Sequence, residues 1–93
     1  MAGFGRTGKL FGFCHAPSVV PDIITFAKGV NGAYLPLGGV GVRDHVAEYF
    51  RKNPLGYGST YNGHPVALAS AYASLKVLLG ENLVQHAADM EAV

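Results

Sequence analysis

The stretch that decides the fold runs from Ile23 to Gly29 and reads Ile-Ile-Thr-Phe-Ala-Lys-Gly. An apolar run rich in β-branched and aromatic residues, bounded by Pro21 and by glycine, is typical of a buried β-strand. The pattern predicts a strand over about residues 22–28. In an open α/β sheet, ligands bind beyond the carboxyl ends of the strands, so this strand would bring Lys28 to a ligand.

Lys28 is the candidate for chemistry in this stretch. An apolar setting disfavours the charged form of a lysine, and the free amine can then attack a carbonyl carbon and form a Schiff base. The simpler interpretation is a solvated lysine that closes a strand, because lysine is almost never fully buried without a reason. The stretch by itself favours the simpler interpretation.

A second candidate segment lies at residues 56–63, which are rich in glycine and contain Ser59 and Thr60. The segment leads into Pro65 and a strong helical pattern, and proline suits the first turn of a helix. Free N–H groups at a helix N-terminus, together with nearby hydroxyls, suit a phosphate group. The same residues could instead form a plain helix start that is capped by Asn62 or His64.

The N-terminal segment matches two nucleotide-binding patterns imperfectly. Residues 3–8 satisfy the Gly-x-Gly-x-x-Gly fingerprint, but that fingerprint needs a strand before it, and two residues precede it here. With Lys9 the segment also approaches a P-loop, but Leu10 stands where a magnesium-binding Ser or Thr is required. We interpret residues 3–8 as a flexible turn.

Four motifs follow one another along the chain: Gly-Phe-Gly-Arg-Thr-Gly at 3–8, Pro-Asp-Ile-Ile-Thr-Phe-Ala-Lys-Gly at 21–29, Leu-Pro-Leu-Gly at 35–38 and Gly-Ser-Thr-Tyr-Asn-Gly-His-Pro at 58–65. In this order they resemble the central part of the class III pyridoxal-phosphate-dependent aminotransferases. That group includes the ω-amino acid:pyruvate, taurine:pyruvate and 4-aminobutyrate transaminases. The resemblance implies an α/β fold in which the chain is part of the large cofactor-binding domain of a fold type I aminotransferase. That domain has three layers (α/β/α), and this chain would contain only part of its sheet.

The resemblance also implies the site residues. Lys28 would hold pyridoxal 5'-phosphate as a Schiff base and shuttle the proton during transamination. Thr60 would bring its hydroxyl to the cofactor phosphate, and in the family this contact crosses the interface of a homodimer. Ser59 and Gly58 are weaker candidates for the same phosphate site. The implied reaction moves an amino group from an ω-amino acid or amine to a keto acid such as pyruvate.

Other parts of the family's site have no counterpart in this sequence. In the family, an acidic residue that pairs with the cofactor's pyridine nitrogen ends a strand just before the turn at residues 3–8, and this chain begins after that strand. Asp22 precedes its own strand, so we expect it at the opposite end of the sheet. A second hypothesis therefore stays open: a truncated, catalytically inert remnant that acts, if at all, as an interaction piece through exposed apolar surface.

Length and composition favour a piece of a larger structure. Charged residues make up 14% of the 93 and hydrophobic ones 49%, against a typical charged share of about 25%. A chain of this size buries only about 60–65% of its surface on folding. We therefore expect apolar surface that is suited to neighbouring elements.

The remaining pattern predicts the other elements: a strand over 36–42 weakened by glycines, a short helix capped by Asp44, a helix over 65–79 stopped by Gly80, and a last helix from Glu81 to the chain end. We expect the strands to have parallel neighbours. Residues 1–80 would form part of the large domain, and residues 81–93 would lead toward a small C-terminal domain.

Charge and residue types argue against several other functions. The net charge is +1 and the seven basic residues are scattered, which gives no patch for nucleic acid. We expect no membrane span, because no apolar run approaches about 18 residues. We expect no signal peptide, because the N-terminus lacks the layout of a basic segment followed by an apolar one. Cys14 is the only cysteine and the four histidines are far apart, so we expect no disulfide, no metal site and a soluble cytoplasmic protein.

Overall fold

A computed structural model of the chain describes residues 2–92. Its strands are β1 (Ile23–Ala27) and β2 (Gly38–Val42), its helices are α1 (Asp44–Lys52), α2 (Pro65–Gly80) and α3 (Leu83–Asp89), and short 3₁₀ turns cover Gly12–His15, Lys28–Asn31 and Met90–Ala92. The expected α/β class is confirmed.

The two strands pair with each other in antiparallel register, from Ile23 opposite Val42 to Ala27 opposite Gly38. The expectation of parallel neighbours is therefore wrong for this pair. Parallel strands need a crossover of about a dozen or more residues, usually a helix. The connection at residues 28–37 is shorter than that and contains only a 3₁₀ turn.

The glycines of β2 make room for the large side chains of β1. Phe26 lies opposite Gly39 and Ile24 opposite Gly41. A Cβ atom on Gly39 would lie 2.6 Å from the Phe26 ring, and one on Gly41 would lie 2.9 Å from Ile24 Cγ1. These glycines do more than weaken the strand, because a Cβ atom at either position would force a β1 side chain to move.

One face of β1 is covered and the other is open. Ile24 and Phe26 are half-buried, whereas the three alternate residues of the strand are exposed. The expectation of a fully buried strand is therefore wrong for this chain, since β2 is the only strand beside β1 among residues 2–92.

The helices start and stop close to their predicted positions. α2 matches its prediction to within one residue, because it includes Gly80 as its last residue. The start of α1 differs: Arg43 is the N-cap and Asp44 is the first helical residue, where its carboxylate complements the helix dipole. α3 begins two residues later than predicted, because Asn82 adopts a left-handed φ of 53°. The predicted run to the chain end includes Val93, which lies outside the described residues.

The buried core lies between α2 and the 3₁₀ turn that follows β1. Val30, Ala67 and Ala71 are the buried apolar residues of the described chain outside glycine, at 5%, 6% and 5% exposure, and Asn31 is fully buried. Many larger apolar side chains are exposed, Val40 and Leu55 among them. The surface is as apolar as the composition predicts.

The N-terminal segment is a closed turn. The Gly8 N–H donates to the Gly5 carbonyl at 3.0 Å, and the Gly5 N–H donates to the Leu10 carbonyl at 3.3 Å. Both glycines have positive φ, and Gly8 packs directly on Ala88 of α3. Within residues 2–92 the first strand begins at Ile23, after this turn.

Candidate functional site

Lys28 follows the last residue of β1, at the carboxyl end of the strand as predicted. Its φ is 51°, in the left-handed region. A non-glycine residue in a sparsely populated region costs about 1–3 kcal/mol and persists only where the surrounding structure holds it. Residues of this kind cluster at functional sites, and Phe4, Ala33 and Asn82 of this chain also have positive φ.

Backbone hydrogen bonds close the turn around Lys28. The Ala33 N–H donates to the Lys28 carbonyl at 3.3 Å, and the Gly32 N–H donates to the Gly29 carbonyl at the same distance. The Tyr34 N–H donates to the Asn31 carbonyl at 3.0 Å. Gly32 ends the turn with a φ of 53°, so two left-handed residues bracket it.

Asn31 ties the turn to the rest of the chain. Its Nδ2 donates to the Leu35 carbonyl at 2.9 Å, and its Oδ1 accepts from Ser70 Oγ of α2 at 2.7 Å. The sequence interpretation missed this residue. The Asn-Gly pair at 31–32 is a turn signal that marks the position, although it does not predict the partner on α2.

The Lys28 side chain is exposed. The sequence interpretation placed this amine in an apolar, sheltered setting, and that expectation is wrong for this chain. Lys28 lies in the turn after β1, and none of the described elements buries its side chain. Lys28 instead lies on the rim between a cleft of about 870 Å³ and a smaller one of about 560 Å³.

Aromatic rings line the larger cleft. The Phe4 ring meets those of Phe11 and Phe26 edge-on, with centroid distances of 5.5 and 5.8 Å. Phe4 also packs on Gly29, where a Cβ atom would lie 3.1 Å from the ring. Arg6 is the only charged residue besides Lys28 among the described residues that line this cleft. The cleft is therefore apolar with two cationic groups, and neither Phe4 nor Arg6 was assigned to a site from the sequence.

The predicted phosphate-binding residues lie in a separate loop over residues 53–64. Gly58, Ser59 and Thr60 are exposed, and none of them lines the Lys28 cleft. A Cβ atom on Gly58 would meet nothing within 4 Å. Neither hydroxyl takes part in the side-chain hydrogen bonds of residues 2–92. Within this chain, the structure does not bring Lys28 and Thr60 together.

The start of α2 lacks the side-chain cap that the plain-helix interpretation would supply. His64 occupies the N-cap position without a side-chain cap hydrogen bond. The Leu68 N–H donates to the His64 carbonyl at 3.0 Å, and Pro65 has no N–H to satisfy. The first turn therefore keeps N–H groups without intrahelical partners.

Asp22 does not line the Lys28 cleft. It precedes β1, and its carboxylate lies 3.9 Å from Arg43 and 3.6 Å from His45. Residues 2–92 contain no group of three or more His, Cys, Asp or Glu side chains that could hold a metal ion. In the same range, none of the helices has the length and apolar character to cross a bilayer.

Three known proteins similar to this chain are all named as aminotransferases or transaminases. The family model described as aminotransferase class-III matches residues 1–93. A diaminobutyrate–2-oxoglutarate transaminase from Halomonas elongata is 42% identical over 97 residues, which cover 99% of this chain and 20% of that enzyme. A putrescine–pyruvate aminotransferase from Pseudomonas aeruginosa is 41% identical over 86 residues, which cover 91% of this chain and 19% of that enzyme.

A solved structure with the same fold is the taurine:2-oxoglutarate aminotransferase from Bifidobacterium kashiwanohense, in complex with PLP and glutamate. It matches with a TM-score of 0.94 and 44% identity over 99% of this chain and 20% of that enzyme. The fold predicted from the sequence is confirmed. The chain spans about a fifth of the length of the relatives it matches.

Proposed function

We propose that this chain, which belongs to the class III aminotransferase family, is the segment of a transaminase that binds pyridoxal 5'-phosphate covalently through Lys28. The observation that carries the proposal is the backbone of Lys28, which is held in a left-handed conformation at the carboxyl end of β1 and at the rim of an open cleft.

The residues present fit this cofactor. The cleft of about 870 Å³ falls within the range of about 300–1,000 Å³ that is usual for small-molecule sites. Lys28 supplies a primary amine at its rim, and the Phe4 and Phe26 rings supply apolar walls. When bound, pyridoxal phosphate acts as an electron sink for the carbanion that forms next to the substrate's amino nitrogen.

Lys28 would have two tasks. Its Nζ would hold the cofactor covalently through the cofactor's aldehyde carbon. As a free amine, the same Nζ could accept and return a proton as a general base and acid. The exposure of Lys28 in this chain means that elements outside residues 2–92 would have to exclude water from these steps.

Thr60 is proposed to donate a hydrogen bond from its hydroxyl to the cofactor phosphate, with Ser59 and Gly58 beside it. Both hydroxyls are exposed, and the loop leads into the N-terminus of α2, where N–H groups favour an anion. Since the loop does not line the Lys28 cleft of its own chain, we place it against the cofactor of a second subunit in a homodimer.

The proposed substrates are an ω-amino acid or amine as donor and a keto acid as acceptor. Two of the relatives are named for putrescine with pyruvate and for diaminobutyrate with 2-oxoglutarate. Residues 1–80 would then belong to the large domain, and residues 81–93 would lead toward the small one. The exposed thiol of Cys14 fits a reducing compartment such as the cytoplasm.

A second candidate is that the chain by itself is catalytically inert and associates through apolar surface. The exposure of Val40 and Leu55, at 63% and 64%, favours this candidate. Large apolar patches at a surface mark interaction sites or aggregation hazards.

Borohydride trapping distinguishes the two candidates. The purified chain is mixed with pyridoxal phosphate, reduced, digested and mapped by mass spectrometry at its four lysines, Lys9, Lys28, Lys52 and Lys76. We expect the label on Lys28 to exceed that on each other lysine about tenfold, which corresponds to roughly 1.4 kcal/mol. In urea this preference should vanish, and Lys28→Arg should remove it while Lys76→Arg leaves it intact. Equal labelling of all four lysines would favour the inert candidate.

A further inference from the structure

We infer that Asn31 and Ser70 form a positioning pair for Lys28: they fix the turn that carries the lysine, so that its amine is presented to the cofactor. The inference rests on the proposed covalent role of Lys28. Neither residue lines the cleft, so each would act through the backbone and touch neither cofactor nor substrate.

The hydrogen bonds of Asn31 link the turn both to α2 and to the segment that follows the turn. Asn31 is the last residue of the 3₁₀ turn that begins with Lys28, and it is fully buried. Its Oδ1 accepts from Ser70 Oγ at 2.7 Å, and its Nδ2 donates to the Leu35 carbonyl at 2.9 Å. One side chain thus connects α2 to the segment that leaves the turn.

A buried amide in this position restricts the conformations that the turn can adopt. Asn31 satisfies both of its polar ends along the present path of Val30 and the residues before it. That path includes the left-handed backbone of Lys28, which the side chain of lysine does not favour by itself. If the Ser70 hydroxyl is removed, Asn31 Oδ1 stays buried without its partner, and conformations that expose it to water become favourable.

The chain supplies a matched control at Ser74. This residue lies one turn further along α2, is half-buried like Ser70, and approaches the same 3₁₀ turn: its Oγ would lie 3.3 Å from a Cβ atom on Gly32. Ser74 takes part in none of the side-chain hydrogen bonds found within residues 2–92. Ser70→Ala and Ser74→Ala therefore remove the same atom from similar surroundings, and only the first breaks the link to Asn31.

Cofactor labelling measures the positioning role. Pyridoxal phosphate trapped by borohydride is quantified on Lys28 relative to the mean of the other three lysines, in the full 93-residue chain. We expect the ratio to fall by about 3- to 10-fold in Ser70→Ala, the range of a single lost hydrogen bond. It should stay unchanged in Ser74→Ala and recover in Ser70→Thr, which keeps a hydroxyl. Labelling is compared at equal folded fraction, as determined by urea unfolding, so that a general loss of stability does not change the ratio.

Amide hydrogen exchange without cofactor measures the turn directly. The N–H groups of Gly32, Ala33 and Tyr34 close the turn, and we expect them to exchange several-fold faster in Ser70→Ala than in Ser74→Ala. Equal exchange in the two variants overturns the inference.

The labelling outcomes separate the two proposals. A Lys28 preference that Ser70→Ala leaves intact overturns the positioning role alone. If the wild-type chain shows no Lys28 preference, the covalent role of Lys28 fails, and the positioning role fails with it.

Discussion

The two segments that the sequence singles out are built in opposite ways. The packed turn, residues 28–33, contains a buried valine and a fully buried asparagine and lies against α2. The open loop, residues 53–64, is exposed at every position, and Cβ atoms on Gly56, Gly58 and Gly63 would meet nothing within 4 Å. The chain therefore supports the backbone of its proposed attachment lysine but not that of its proposed phosphate ligand.

α2 connects the two segments. Its first half contributes Ala67, Ser70 and Ala71 to the contact with the packed turn, and its first residue follows the open loop directly. A helix that is anchored at its middle fixes where its N-terminus points. The loop before that N-terminus needs no contacts of its own to reach toward a neighbouring subunit, which is the arrangement that the proposed dimer requires.

Replacing asparagine by leucine in each segment tests the comparison with the largest expected effect. Asn31→Leu leaves both the Ser70 hydroxyl and the Leu35 carbonyl without their partner, so we expect the free energy of unfolding to fall by about 2–4 kcal/mol. Asn62→Leu changes an exposed side chain of the open loop and should alter the free energy of unfolding by less than about 0.5 kcal/mol. Urea unfolding followed by circular dichroism measures both, and similar losses would contradict the difference in packing.

Replacing glycine by alanine gives a finer comparison, because Gly32 and Gly63 have similar left-handed φ values of 53° and 66°. Each substitution should cost about 1 kcal/mol from backbone strain alone. At Gly32 the new Cβ atom would also lie 3.3 Å from Ser74 Oγ and from the Tyr34 ring, whereas at Gly63 it meets nothing. We therefore expect Gly32→Ala to be more destabilising by about 0.5–1 kcal/mol in the same unfolding measurement. Equal losses of stability would mean that the packed turn accommodates an added Cβ atom as easily as the open loop does.

The elements that the sequence predicted well are those whose signals are local. β1 ends one residue before Lys28 because an apolar β-type run meets Gly29, and α2 runs from a proline to a glycine as its pattern indicates. The antiparallel pairing was missed, although the short connection at residues 28–37 was visible in the sequence and was incompatible with a parallel crossover.

The site was less predictable, because its contacts join distant parts of the chain. Asn31 and Ser70 are 39 residues apart, and no local pattern announces that they will meet. The exposure of Lys28 also could not be inferred from its strand, since burial depends on which elements cover the sheet. The roles of Lys28 and Thr60 came from the family resemblance, and they stay predictions.

The smallest expected effect concerns Thr60, whose proposed role depends on the phosphate of the cofactor. Thr60→Val should raise the concentration of pyridoxal phosphate that gives half-maximal labelling of Lys28 by about 2- to 3-fold, the lower range for one hydrogen bond. The same variant should leave labelling by pyridoxal unchanged, because pyridoxal has the aldehyde but no phosphate, and Thr60→Ser should behave like the wild type. If the loop serves a second subunit, the effect should appear only at chain concentrations at which the chain associates with itself. Equal weakening for pyridoxal and pyridoxal phosphate would mean that Thr60 supports the fold of the open loop and does not contact the phosphate.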